Sequence, residues 1–414
     1  MAFTRPLAVV WRMAPTRRTF LSTAVAAVGW GTLPKLEGAA LDAAQTQTAP
    51  TGLDPWIEVD GTALRANATS LGTLAGGRPV LAVIKNNGYG LGTVEVARAL
   101  DGHPSLAGFA VVKVSAALAL RHAGIEMPVL HMGATTRPEA SELVAADVRL
   151  SVFQPSDPLR IAALADAFQK RIPVHIYVDT GMGRLGVPAH RGLAWMRELE
   201  AAPVRVEGTF MGFTEEDEFD GEQLARFQRL AFSARESGFD VGLLHAASSH
   251  GVFLRPEAHL DMVRPGLGLF GAYPSGADPS SAALTPAFRL KARVARVELM
   301  RVGDSVSYGR NWVADRPTWT ATLPVGHADG YPRRAVDGCE VLIRDRLYAV
   351  VGAVSASHTI VALGDEATVT VGDVATLVGP DDPAIHPNEV ARRTGNSVYD
   401  VLMHLGQALP RVVV

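Results

Sequence analysis

Short apolar runs recur along the middle of the chain, each followed by a stretch whose apolar positions fall three and four apart. The runs are Pro79–Val83, Gly108–Val112, Pro128–Met132, Arg149–Phe153, Pro173–Val178, Val206–Met211, Val241–His245 and Met262–Arg264. Ser115–Ala123 and Gly221–Ser237 show the helical spacing between them. Runs this short, closed by Gly and Pro, read as buried strands. Eight βα units over about 200 residues predict a (β/α)8 TIM barrel. A doubly wound parallel sheet has the same alternation, and periodicity alone does not separate the two. Ahead of the runs, Trp56–Asp60 alternates apolar and acidic residues like a half-buried strand, and Ala63–Leu74 has helical spacing.

After about Leu284 the texture changes. Leu290–Leu299, Thr318–Pro324, Glu340–Ile343, Leu347–Val351, Thr359–Leu363 and Val374–Val378 read as short strands split by Gly, Asp and Pro. No long helical pattern returns before Pro387–Arg392. The expectation is a barrel over residues 56–284 followed by a mostly β C-terminal domain over 285–414.

Composition adds limits. The 414 residues are 48% hydrophobic and 20% charged, enough for two domains with a large core. A net charge of -3 gives no electrostatic case for nucleic acid. Cys339 is the single cysteine, so no intrachain disulfide forms, and no metal-ligand spacing stands out. The first forty residues differ from the rest. Thr16-Arg17-Arg18-Thr19-Phe20-Leu21 precedes a mild apolar run to Leu33, with small residues at Gly38-Ala39-Ala40. This layout is that of a secretory signal of twin-arginine type, with residues 41–55 as a linker. It predicts an exported, periplasmic protein with no stable membrane anchor after cleavage. Met13 can serve as the start, since the signal is complete without residues 1–12. Removing the +4 of residues 1–40 from -3 leaves -7 on the mature chain.

The residues with chemistry cluster after the expected strands. Lys85 and Tyr89 follow the first. Asp179-Thr180-Gly181-Met182-Gly183-Arg184-Leu185-Gly186 follows the fifth, Ser248-Ser249 the seventh, and Arg264-Pro265-Gly266-Leu267-Gly268 closes the eighth. A lone strand-end lysine is ordinarily a snorkelling amine. Desolvated, it becomes a nucleophile for carbonyl groups. In a barrel, catalytic groups gather at the C-terminal strand ends, with a phosphate often held beside strands seven and eight. Hydroxyls and open amides at Ser248, Ser249, Gly266 and Leu267 could cradle one. A lysine with a phosphate cup suggests pyridoxal 5'-phosphate.

Val83-Ile84-Lys85-Asn86-Asn87-Gly88-Tyr89-Gly90 resembles the cofactor-lysine segment of the alanine racemases, which are pyridoxal-phosphate enzymes. Asp179–Gly186, Met262-Val263-Arg264-Pro265-Gly266, Val306-Ser307-Tyr308-Gly309, Gly326-His327-Ala328-Asp329-Gly330-Tyr331 and Val351-Gly352-Ala353-Val354-Ser355 continue the likeness in order. It runs from about Trp56 to the C-terminus. The resemblance implies a barrel plus β domain, a head-to-tail homodimer with shared active sites, and interconversion of L- and D-amino acids by two bases. It implies that Lys85 holds the cofactor and is one base, and that Tyr308 is the other, reaching the partner's cofactor. Arg264 would bond the pyridine nitrogen. Tyr89, Ser249, Gly266, Leu267 and Tyr399 would contact the phosphate, with Ser248 beside them. Arg184 would lie near the substrate carboxylate.

The chain also departs from the pattern. Gly212 replaces the usual histidine against the cofactor ring, and Tyr177 stands where a barrel lysine is expected. Ser248 replaces an asparagine and His327 a tyrosine. Ala356-Ser357 replaces the Met-Asp that helps hold the substrate carboxylate, so Ala356 marks a widened substrate-binding entrance. These changes put L-alanine as the main substrate in question and leave room for a broader range. The alternatives are a lyase or decarboxylase of the same fold, and a cofactor-binding relic without turnover. Cys339 does not sit in a decarboxylase-type motif, and His404 lacks a metal partner in sequence, whereas both racemase bases are present.

Overall fold

A computed structural model describes residues 50–414. The signal expected at 1–40 and most of the 41–55 linker lie outside the described residues.

The first strand, β1 (Trp56–Val59), is followed by a helix over Gly61–Leu74. Asp60 caps that helix, its Oδ1 accepting from the Ala63 N–H at 2.9 Å. Then come the parallel strands β2 (Val80–Val83), β3 (Leu106–Val111), β4 (Val129–His131), β5 (Arg149–Val152) and β6 (Ile172–Asp179). The two-residue β7 (Val187–Pro188) pairs with β6 off the main path, and β8 (Val204–Phe210) and β9 (Leu243–His245) continue the sheet. Helices separate the strands and cover the outside, as βα crossovers require.

The eighth expected strand, Met262–Arg264, is reduced to one parallel bridge between Val80 and Val263. It still closes the ring: the Leu81 N–H donates to Val263 O at 2.9 Å, and the Val263 N–H donates to Pro79 O at 3.0 Å. The fold is therefore a (β/α)8 barrel, and the doubly wound rival is set aside by this closure.

The boundary expected at residue 56 needs correction. β1 pairs antiparallel with β10 (Phe288–Arg293) and parallel with Arg411–Val413. It is a member of the nine-stranded C-terminal sheet, not of the barrel. Alternation of apolar and acidic residues shows that a strand is half-buried, but not which sheet receives it. That sheet runs from Arg296–Met300 at one edge to Arg411–Val413 at the other.

The two parts meet beneath the lysine loop. Arg411 donates from Nη2 to Gly90 O at 2.7 Å, and Asn86 Nδ2 donates to the Met403 sulfur at 3.3 Å. A side chain at Gly90 would collide with Leu402 O, so the backbone of 398–405 lies directly on the loop.

Candidate active site

β2 delivers Lys85 to the C-terminal rim. Asn86, Asn87, Gly88, Tyr89 and Gly90 then all have positive φ, a left-handed turn. Asn and Gly tolerate that region; Tyr89, at φ 52°, does not without cost. Its ring is held by stacking on Phe270, with centroids 4.6 Å apart, and by the Tyr399 ring 6.3 Å away. The turn thus aims the Tyr89 hydroxyl at Gly266, where a side-chain carbon would overlap it. Burial, then the Arg184 guanidinium, lowers the Lys85 amine below the usual lysine range, and Glu215 partly opposes this. More of the amine is neutral and nucleophilic as a result.

Beside Tyr89 lies the cup. Ser249 Oγ accepts the N–H groups of Gly266 at 3.1 Å and Gly268 at 3.0 Å, fixing the turn after Arg264. The Leu267 N–H makes no hydrogen bond among the described residues. Hydroxyls from Tyr89 and Tyr399 complete the set, and burial pushes Tyr399 up to about 12 and Tyr89 higher still, so both remain protonated donors. Neutral O–H and N–H donors around a backbone turn, with no room for a Cβ at Gly266, fit a phosphate monoester.

Arg264 is 8% exposed and anchored at its tip. Nη1 donates to His245 O at 2.5 Å and to His245 Nδ1 at 3.0 Å, and Nη2 donates to Met211 O at 2.6 Å. Its Nε makes no hydrogen bond among the described residues and stays available to a ligand. His245 Nε2 lies 2.9 Å from His175 Nδ1. Burial holds both rings neutral: it pushes His175 down to about 3 and His245 well below the usual range, with Arg264 adding to each. Arginine has no acceptor, so His245 Nδ1 must accept; its proton sits on Nε2 and is donated to His175. Gly208 makes room for the pair, since a Cβ there would stand 2.7 Å from His175 Nδ1 and 2.9 Å from His245 Nε2. Burial brings Arg264 itself down to about 10, against a raising influence from Tyr177, so it remains a cation.

Lys85, Tyr89, Arg184, Ser248, Ser249, Arg264, Gly266, Leu267 and Tyr399 all line one cavity of about 590 Å³, a volume suited to a small cofactor and its substrate. Tyr308 and Ala356 do not. Tyr308 is 78% exposed, on a turn with positive φ at Ser307, Gly309 and Arg310. Ser307 Oγ donates to Ala353 O at 2.7 Å, which ties that turn to the loop carrying Ala356. His327 joins the same loop, its N–H donating to Ser355 O at 3.0 Å.

Sequence reasoning missed three contributors. His175 and His245 had a signal, since each is a polar residue inside an apolar barrel strand. Glu215, on the cavity wall at φ 64°, had none beyond lying in an acidic run.

A (β/α)8 barrel with a strand-end lysine, a phosphate cup between its last two strands and a β-sheet domain closing over the lysine loop defines one class of cofactor-dependent barrel enzyme. Residues 59–274 match the family model "Alanine racemase, N-terminal domain" and residues 287–413 match "Alanine racemase, C-terminal domain". The chain is 36% identical over 368 residues to an alanine racemase of Desulforamulus reducens, covering 87% of this chain and 98% of that one. It is 34% identical over 372 residues to one of Carboxydothermus hydrogenoformans, covering 87% and 99%. Among solved structures, the alanine racemase of Streptomyces coelicolor A3(2) superposes with a TM-score of 0.81 at 29% identity, over 88% of this chain and 99% of that one. That of Clostridium difficile 630 also gives 0.81, at 26% identity over 89% and 97%. The chain belongs to the alanine racemase family.

Proposed function

We propose that this protein is a pyridoxal-phosphate-dependent racemase that interconverts L- and D-amino acids. The observation that carries this is the single cavity joining Lys85, the cup formed by the Ser249 hydroxyl and the Leu267 N–H at the Gly266 turn, and the free Nε of Arg264. When bound, pyridoxal phosphate supplies an aldehyde that takes the amino group and a ring that withdraws electrons from Cα. Lys85 would hold that aldehyde and, once released, would move a proton to or from one face of Cα; burial lowers its pKa, which leaves more of the amine as free base. Arg264 would face the ring nitrogen. Because His245 offers it only acceptor atoms, it stays a charged donor with no acceptor of its own, and would keep that nitrogen unprotonated. Arg184 makes no ion pair among the described residues and is available to a carboxylate.

Tyr308 is the second base, acting on the opposite face. It does not line the cavity of its own chain, which supports a homodimer in which each chain lends Tyr308 and the Ala356 loop to its partner's site. Small residues at Ala356-Ser357 support side chains larger than a methyl. The twin-arginine-like segment supports export of the folded, cofactor-loaded protein to the periplasm.

A panel of single L- and D-amino acids, read by chiral chromatography, tests the reaction. Appearance of the opposite enantiomer supports it. Loss of carbon dioxide or ammonia, or silence across the panel, overturns it.

A further inference from the structure

Tyr177 is the cavity residue that the mechanism above leaves unused. It lies on β6 opposite Phe210 of β8, and Phe210 lies opposite His245 of β9. The three rings form a row across the strands: Tyr177 stacks on Phe210 at 4.3 Å, and Phe210 on His245 at 5.2 Å. The edge of Phe153 closes the other side at 5.9 Å, and the Arg264 guanidinium lies over Phe210 at 5.1 Å. Tyr177 is thereby 94% buried and its ring is fixed. Its hydroxyl nevertheless makes no hydrogen bond among the described residues, and the residue lines the cavity.

Gly212 shows where the hydroxyl points. A Cβ built on Gly212 would meet one atom within 4 Å, the Tyr177 hydroxyl oxygen at 3.7 Å. The phenol therefore stands over the space that a larger residue at 212 would occupy. The two departures from the family pattern are a complementary pair, one ring filling what the other position gives up.

A hydroxyl on a fixed ring that opens on a binding cavity, with no acceptor in the protein, is placed to donate to an acceptor on the ligand. We propose that Tyr177 positions the cofactor, its hydroxyl donating to the oxygen on the pyridoxal ring. This rests on the pyridoxal-phosphate reading above. Lys85 accounts for the aldehyde carbon, the serine-glycine cup for the phosphate on the next carbon, and Arg264 for the nitrogen. The remaining edge carries a methyl group and the ring oxygen, and of these only the oxygen accepts. A donor at that oxygen favours its ionised form and lowers its pKa.

Titration of pyridoxal phosphate into the apo forms of the wild type and Tyr177→Phe, followed by a pH titration of the visible band, tests this. Tyr177→Phe keeps the stacked ring, so its apo form should unfold at the wild-type temperature. Its Kd should rise about tenfold, as for loss of a hydrogen bond to a charged group, and the pH transition of the band should move upward. An unchanged Kd and transition in Tyr177→Phe overturns the proposal, as does weaker binding without the pH shift, which marks packing alone. If the wild type takes up no cofactor, the proposed function falls and takes this inference with it. Uptake with a silent Tyr177→Phe removes only the inference.

Discussion

The Tyr89 hydroxyl occupies the place where a side chain on Gly266 would begin. The contact joins the lysine loop after β2 to the cup after Arg264, so the shape of the cup depends on a missing Cβ. Gly266→Ala should displace the Tyr89 ring from Phe270 and open the cup. Overpacking of this kind costs about 1–3 kcal/mol. Pyridoxal-phosphate affinity, followed by absorbance, should fall at least about tenfold, equivalent to about 1.4 kcal/mol. Tyr89→Phe, which removes only the hydroxyl, should do less.

The His175–His245 pair sets an acid limit. A histidine in the unfolded chain titrates near 6.5, whereas burial keeps His175 neutral down to about 3 and His245 well below its usual range. Below pH 6.5 the unfolded chain binds protons that the folded chain refuses, so stability falls as pH falls. The pair's contribution is intact above about 6.5; His175 alone should lose roughly 3 kcal/mol towards pH 4, and His245 adds to that loss. Urea midpoints across that range measure it. His175→Asn should flatten the profile; an unchanged slope would mean the pair is not neutral in the fold.

Cys339 is fully buried, and burial pushes its thiol up to about 11, with Arg393 opposing. An aromatic disulfide reagent at pH 8 should leave the native protein essentially unlabelled and titrate one thiol per chain in guanidinium. Rapid native labelling would show that this part of the β domain opens.

Tyr308 separates folding from turnover. Its exposure means that Tyr308→Phe should change the stability of the single chain by less than about 0.5 kcal/mol. Turnover should drop about 10²–10⁴-fold, and further from one enantiomer than from the other. Equal, mild losses in both directions would remove it as a base.

The barrel was legible because its strands are buried on both faces and read as apolar runs with turn residues between them. What stayed hidden was pairing. Nothing in Trp56–Val59 tells which sheet receives it, and Met262–Arg264 looks like a full strand although a single bridge at Val263 closes the ring. The cavity residues Lys85, Arg264 and Ser249 were readable from position at strand ends. The His175–His245 contact was not, because it depends on Gly208, a residue on a third strand. Tyr308 and Ala356 were readable only through family likeness, since no contact within one chain brings them to Lys85.

Incubation of the protein with pyridoxal phosphate and one L-amino acid in D2O tests the central claim most directly, with product enantiomer and Cα deuterium read together by chiral separation and mass spectrometry. The account predicts D-amino acid carrying deuterium at Cα, with borohydride fixing the cofactor to Lys85 and Lys85→Ala abolishing both signals. Unlabelled substrate of unchanged configuration, from protein that has taken up the cofactor, would contradict it.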